Sequence, residues 1–165
     1  MSSNKKGRWL YWDTNVFLAY FNAERDRVDV IEDLWDEIKN EDGQIVTSVS
    51  AIVETAFIKR ELPNAIDPTV EKLMDDVWHS IMIIEDSYPV AIEARTLIRT
   101  ALKERNWKLK PKDALHLASA KWVNRHVRTL NEFHTYDSAL EKYATLIGLP
   151  ISKPYVLQQR IAELR

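Results

Sequence analysis

Apolar side chains come along this chain in two rhythms, short unbroken runs and longer stretches at helical spacing. Trp9-Leu10-Tyr11-Trp12 is a run of strand length without a polar position, the pattern of a strand covered on both faces in a parallel sheet. Asp13-Thr14-Asn15 then supplies turn and cap residue types, and Val16, Phe17, Leu18, Tyr20 and Phe21 open a helix. After a polar break at Arg25-Asp26-Arg27, Val30, Ile31, Leu34, Trp35 and Ile38 recur at helical spacing up to Lys39. Asn40-Glu41-Asp42-Gly43 ends that helix, with Gly43 expected at a left-handed cap position. Gln44 to Thr47 reads as a second strand, and Ser48 or Ser50 caps a helix expected to reach about Arg60. Val49, Ala51, Ile52, Val53, Ala56, Phe57 and Ile58 make that helix apolar nearly all round, which predicts deep burial.

The same alternation continues. Leu62-Pro63-Asn64 and Asp67-Pro68 mark a loop, Thr69 to Trp78 an amphipathic helix, and residues 80–84 a third strand. A long helix follows from Ser87 to about Arg105, then a basic loop from Asn106 to Lys110. Pro111, well suited to a first turn, begins a helix to about Arg125. Residues 128–135 hold a weaker fourth strand, Ser138 to Ile147 a helix stopped by Gly148, and Ile151 to Tyr155 a short extended piece, with a last helix expected from Val156. Strands alternating with helices predict an α/β fold with a central, mainly parallel sheet flanked by helices. Without repeats, low-complexity tracts or linkers, residues 1–165 are expected to form one domain.

Composition narrows the chemistry. The absence of cysteine excludes disulfides and thiolate metal sites. The polar opening Met1-Ser2-Ser3-Asn4-Lys5-Lys6 is not followed by a signal-type apolar core, and no apolar run has bilayer-spanning length, so a cytoplasmic protein without a membrane role is expected. Net charge is −2, but residues 1–94 carry 9 basic and 19 acidic side chains, whereas residues 95–128 carry 10 basic and 2 acidic. That asymmetry is more informative about partners than the net charge.

Four acids stand in places where an acid is costly or conspicuous. Asp13 follows the first strand, at the edge where open α/β sheets bind ligands, although a helix cap would also explain it. Glu54 interrupts the apolar run 51–58, where a buried acid needs a cation, a partner or a shifted pKa; a narrow exposed stripe is the plainer explanation. Asp113 sits in a first helical turn, where an acid also opposes the helix dipole. His116 shares its face and reads as a packed histidine rather than a ligand. Asp137 follows a strand and precedes a helix, as Asp13 does, and a cap again competes. Two like charges about 4 Å apart repel by roughly 4 kcal/mol at an effective dielectric near 20. Convergence of all four would therefore imply a divalent ion or a strongly raised pKa. Oxygen ligands without cysteine suit Mg²⁺ or Mn²⁺ rather than Zn²⁺.

Asp13-Thr14-Asn15 after the first strand, Glu54 in the helix after the second, Lys112-Asp113-Ala114-Leu115-His116-Leu117-Ala118, and Thr135-Tyr136-Asp137 together resemble PIN-domain signatures in their usual order. The resemblance spans residues 9 to about 150, and the ordered set of four is more specific than any one motif. It implies a Rossmann-like sheet and metal-dependent hydrolysis of RNA phosphodiester bonds, and the chain's size resembles VapC-type toxins of toxin–antitoxin pairs. By that resemblance Asp13 and Asp113 would ligate the ion directly, with Glu54 and Asp137 doing so directly or through water. Glu54 could also orient or deprotonate the attacking water. Asn15 and Thr135 would hold the carboxylates in place, and basic residues around 99–112, Lys108, Lys110 and Lys112 among them, would meet the RNA backbone. A small antitoxin and a homodimer are the partners implied, with Trp35, Phe57 and Trp78 as candidate apolar contacts. A PIN nuclease of RNA processing without a toxin role, a phosphatase of the haloacid-dehalogenase type and a silent metal- or partner-binding module remain alternatives. The phosphatase would show a second acid where Asn15 stands.

Overall fold

Alternation along strand β1 (Trp9–Trp12) sets the architecture. Trp9 and Tyr11 face one side of the sheet, Leu10 and Trp12 the other, because successive strand side chains point to opposite faces. Both sides are covered, so no polar position was available in the run. The computed structural model describes residues 7–61, 65–157, 161, 162 and 164. The polar opening, loop residues 62–64 and most of the helix expected from Val156 lie outside the described residues.

The chain continues through α1 (Thr14–Phe21), α2 (Val28–Asn40), β2 (Gln44–Ser48), α3 (Ser50–Glu54), α4 (Pro68–Ser80) and β3 (Met82–Ile84). It then forms α5 (Tyr88–Arg105), α6 (Pro111–His126), β4 (Glu132–His134), a 3-10 turn (Ser138–Tyr143), α7 (Ala144–Ile147) and β5 (Ile151–Ser152). The five strands are all parallel, in the order β3-β2-β1-β4-β5. Helices α5 and α6 cover the Tyr11 face, where the ring of Tyr11 stacks on Phe133 at 5.0 Å between centroids. Helices α1, α2 and α4 cover the other face, where Trp12 meets Trp35 edge-on at 5.2 Å and Phe17 at 5.6 Å. The aromatic weight of the opening strand thus belongs to the two cores. Among the described residues no helix is long and apolar enough to cross a membrane.

Three local expectations are corrected. The helix after β2 stops at Glu54, and Val53 and Phe57 are 75% and 93% exposed, so this segment is not deeply buried. Its apolar residues exceed what one face of a five-residue helix can press on the sheet. Gly43 is not the left-handed residue; Asp42 is, with φ 56°. Gly43 is needed for close approach instead, since a Cβ there would stand 2.4 Å from the carbonyl oxygen of Arg8. The segment 138–147 divides into a 3-10 turn and one turn of α-helix, ending on Gly148 at φ 66°.

Strand order fixes where a site can form. From β1 the chain builds outward to β2 and β3, then returns to place β4 on the other flank of β1. The carboxyl ends of β1 and β4 therefore border the switch point, where such sheets open a crevice. The register pairs Trp12 with His134, so the next residues, Asp13 and Thr135, leave the sheet side by side.

Candidate active site

Asp13 caps α1, accepting from its neighbour's amide at 2.8 Å. The cap explanation is therefore correct and incomplete. Its other carboxylate oxygen accepts from the Thr135 hydroxyl at 2.8 Å and from Asn15 Nδ2 at 3.1 Å. Asn15 also donates to Thr135 Oγ1 at 2.9 Å and accepts the Tyr136 amide at 2.9 Å. Thr135 Oγ1 in turn accepts the amide of Asp137 at 3.0 Å. One Asn and one Thr thus lock the ends of β1 and β4 together around a buried carboxylate. Asp137 caps the 3-10 turn through Ala139 N at 2.9 Å and stands exposed at the rim.

Asp113 enters from the first turn of α6, which runs back along the sheet and so begins at the same edge. Burial first, then the charges of Asp13 and Asp137, hold its carboxyl above the usual carboxylate range, against Lys110 and His116. Asp13 and Asp137 are thus both close enough to bear on the Asp113 carboxyl.

Glu54 reaches the edge from the end of α3. Its Oε2 accepts the Thr14 hydroxyl at 2.5 Å and lies 2.9 Å from Lys112 Nζ; its Oε1 is 3.4 Å from His116 Nε2. Burial would raise its pKa, but His116, Thr14 and Lys112 together bring it down to about 2. Among the described residues no three Asp, Glu or His side chains converge on one point at ligand distance. Glu54 is turned to Thr14 and Lys112, and Asp137 to its own turn.

The remaining expected residues fall in different settings. Lys108 and Lys110 are exposed on the loop leading into α6. Lys112 is engaged with Glu54. His116 is packed, as expected, but it is fully buried and hydrogen-bonded through both nitrogens, 2.8 Å from Tyr11 Oη and 2.9 Å from Thr14 Oγ1. Sequence reasoning passed over Thr14 and the Tyr11 hydroxyl. Thr14 lies inside the Asp13-Thr14-Asn15 motif and could have been suspected; nothing local marks Tyr11, whose partner is 105 positions away.

A family model described as the PIN domain matches residues 10–146. Comparison with curated sequences finds no match. Among solved structures, the chain is similar to VapBC2 from Rickettsia felis bound to a DNA fragment from its promoter. The TM-score is 0.60 at 17% identity, covering 88% of this chain and 98% of that one. It is also similar to FitAB bound to an IR36 DNA fragment, with TM-score 0.60, 18% identity and coverage of 90% and 96%. FitAcB from Neisseria gonorrhoeae gives 0.55, 15%, 88% and 97%. At these identities the likeness is one of fold.

Proposed function

The chain belongs to the PIN-domain family, a family of nucleases, and from that premise we propose that it is a metal-dependent endoribonuclease serving as the toxin of a toxin–antitoxin pair. The observation that carries this reading is the placement of acids at the β1/β4 switch point. Asp13 is buried where β1 ends and locked to Thr135 where β4 ends, Asp137 follows β4, and Asp113 stands in the first turn of α6. The donor set fits a hard divalent ion, Mg²⁺ or Mn²⁺, because all its donors are carboxylate oxygens. Asp13 and Asp113 would hold the ion, with Glu54 and Asp137 completing its surroundings. Bound there, the ion would lower the pKa of an attacking water and offset charge on the phosphoryl and leaving oxygens.

The chain's own side chains do the rest. Asn15 and Thr135 fix the Asp13 carboxylate so that it need not be ordered on binding. Glu54, held at about 2, stays anionic and is a poor proton acceptor; its part is to orient. Lys108 and Lys110 face solvent beside Asp113 and would hold the RNA backbone.

The antitoxin reading is supported by the VapBC2 and FitAB assemblies the fold resembles. Of the three large apolar residues expected to serve partners, Trp35 is buried and Trp78 packs on the core, while Phe57, three residues after Glu54 in the chain, is exposed. A segment seated on Val53 and Phe57 could extend an Arg or Lys to the acids. A cleft of about 360 Å³ between α2 and α4 is lined by Tyr20, Trp35, Leu73 and Val77 and by Glu32, Asp36 and Asp76, with Lys39 over the Trp35 ring and Lys72 paired to Asp76. It suits a basic amphipathic segment, and a homodimer is proposed alongside.

The test is RNA cleavage with Mg²⁺ or Mn²⁺ against EDTA, together with growth on expression with and without the product of the neighbouring gene. Cleavage undiminished by EDTA overturns the metal-dependent reading. Harmless expression of an active nuclease removes the toxin role alone.

A further inference from the structure

Beneath the acid edge, four side chains from four elements join end to end. Tyr11 of β1 and His116 of α6 are fully buried and meet at Nδ1, 2.8 Å apart. The other imidazole nitrogen lies 2.9 Å from the hydroxyl of Thr14, the first residue of α1. That hydroxyl donates to Glu54, the last residue of α3.

The direction of each bond follows from proton counting. An ionised carboxylate only accepts, so the single Thr14 proton goes to Glu54. Thr14 Oγ1 must then accept from an Nε2–H of His116. With the proton assigned to Nε2, Nδ1 carries the lone pair and accepts the Tyr11 phenol. The phenol has one proton and donates it to Nδ1 across 2.8 Å. All three bonds point toward Glu54, and the same Nε2–H also faces Glu54 Oε1 directly at 3.4 Å.

Phenylalanine, leucine and valine would fill these three sites without placing polar groups in a core, where each must be paired. The chain of hydroxyl, imidazole and hydroxyl does what apolar residues would not. It fixes the Thr14 hydroxyl on one acceptor and so pins a flexible carboxylate. Lys112 holds the same carboxylate from outside, but its side chain is 57% exposed and solvent screens it.

We propose that Tyr11 and His116 are positioning residues of the acid edge, acting through Thr14, and in the case of His116 also directly, to hold the Glu54 carboxylate in one orientation. This rests on the nuclease reading of that edge, yet part of it can be read without cleavage. In the metal-free protein, ¹⁵N shifts of the His116 imidazole should place its proton on Nε2. Tyr11→Phe and Thr14→Val should each lower Mn²⁺ affinity, read by electron paramagnetic resonance, by about 10- to 100-fold, as loss of a ligand's outer partners does. They should lower kcat for RNA with KM unchanged, and Thr14→Ser should recover most of both losses. A wild-type imidazole protonated on Nδ1, alone or together with Nε2, overturns the proposal. So do folded Tyr11→Phe and Thr14→Val proteins with wild-type affinity and kcat. If the wild type cleaves no RNA, the nuclease reading fails while tautomer and Mn²⁺ affinity still decide this one; a wild type that binds no Mn²⁺ overturns both.

Discussion

The Nζ of Lys112 lies 2.9 Å from Oε2 of Glu54, tying the first turn of α6 to the last residue of α3. The lysine expected to reach RNA is thus spent on a carboxylate of the acid edge. Its side chain is mostly exposed, so the pair contributes only about 0–1 kcal/mol, and Glu54 is held more firmly by Thr14 and His116. A cation entering the edge would compete with that ammonium. Lys112→Met should therefore strengthen Mn²⁺ binding by up to about fivefold, the equivalent of 1 kcal/mol, in a paramagnetic resonance titration. A weaker Mn²⁺ complex would mean that Lys112 supports the site.

Asp113→Asn tests the acid edge itself. The Asp113 carboxyl is raised in the fold by burial and by Asp13 and Asp137. A raised folded value means stability is full below the unfolded pKa and is lost as pH rises through the folded one. Asn removes that loss, so in EDTA at neutral pH the variant should melt no lower than the wild type. Cleavage should fall by about a hundredfold or more, since the ion's stabilisation of transition-state charge is several kcal/mol. Mg²⁺ should raise the wild-type Tm more than the variant's. Full cleavage by the variant would sink the acid-edge reading.

The fold was legible where local pattern and tertiary fate coincide. The apolar run at residues 9–12, closed by turn and cap residues, reads as a doubly covered strand, and β1 is one. Glu54 stood out because an acid in an apolar run is anomalous, and Asp13 and Asp137 because each follows a strand at the sheet's carboxyl edge. Their hydrogen bonds were not, since Asn15, Thr135 and Asp13 meet only through the Trp12–His134 register. The exposure of Val53 and Phe57 was hidden for another reason: apolar spacing records that a residue is to be covered, not by which chain. Gly43 failed similarly, since a left-handed cap and a close backbone approach both call for glycine.

Stability at low pH should depend on a cluster built on β4, β5 and Tyr155, next to the acid edge but outside it. Glu132 accepts from Ser152 at 2.8 Å and from the Tyr155 phenol, and pairs with buried His134 at 3.3 Å. Burial would raise its carboxyl, but His134, Tyr155 and Ser152 hold it at about 2. A depressed folded value gives stability present above the ordinary 4.5 and lost as pH falls toward about 2. Burial likewise lowers His134 from 6.5, so its contribution begins to be lost from that pH downward. Glu132→Gln should lower the Tm at pH 7 by about 2–4 °C for each kcal/mol of hydrogen bonding lost. The gap to the wild type should close by about pH 2. A gap that persists there assigns the loss to packing.

RNA affinity should respond to Lys108 and Lys110. Each phosphate neutralised on a single strand contributes about 0.7 to the slope of log affinity against log salt. Replacing both lysines with alanine should flatten that slope by roughly 1.4. An unchanged slope would make this loop a solvated face, leaving the acid edge untouched.

Phe57, beyond the end of α3, is 93% exposed, and Val53 within α3 is 75% exposed. Nothing in the chain's own core depends on either ring or methyls, so Phe57→Ser should change stability by no more than about 0.5 kcal/mol. Covering a phenyl ring on a partner is worth roughly 2 kcal/mol, which is about thirtyfold in affinity. If the antitoxin segment seats here, the variant should keep wild-type Tm and RNA cleavage while binding the neighbouring gene's product about thirtyfold more weakly. Cells expressing both should then grow more slowly than cells with the wild-type pair. Size-exclusion chromatography separates the other occupant: a dimer lost with antitoxin binding intact assigns Phe57 to the self-contact. A lowered Tm would place the ring in the core, and undiminished co-purification with an unchanged elution volume would leave Phe57 without a partner role.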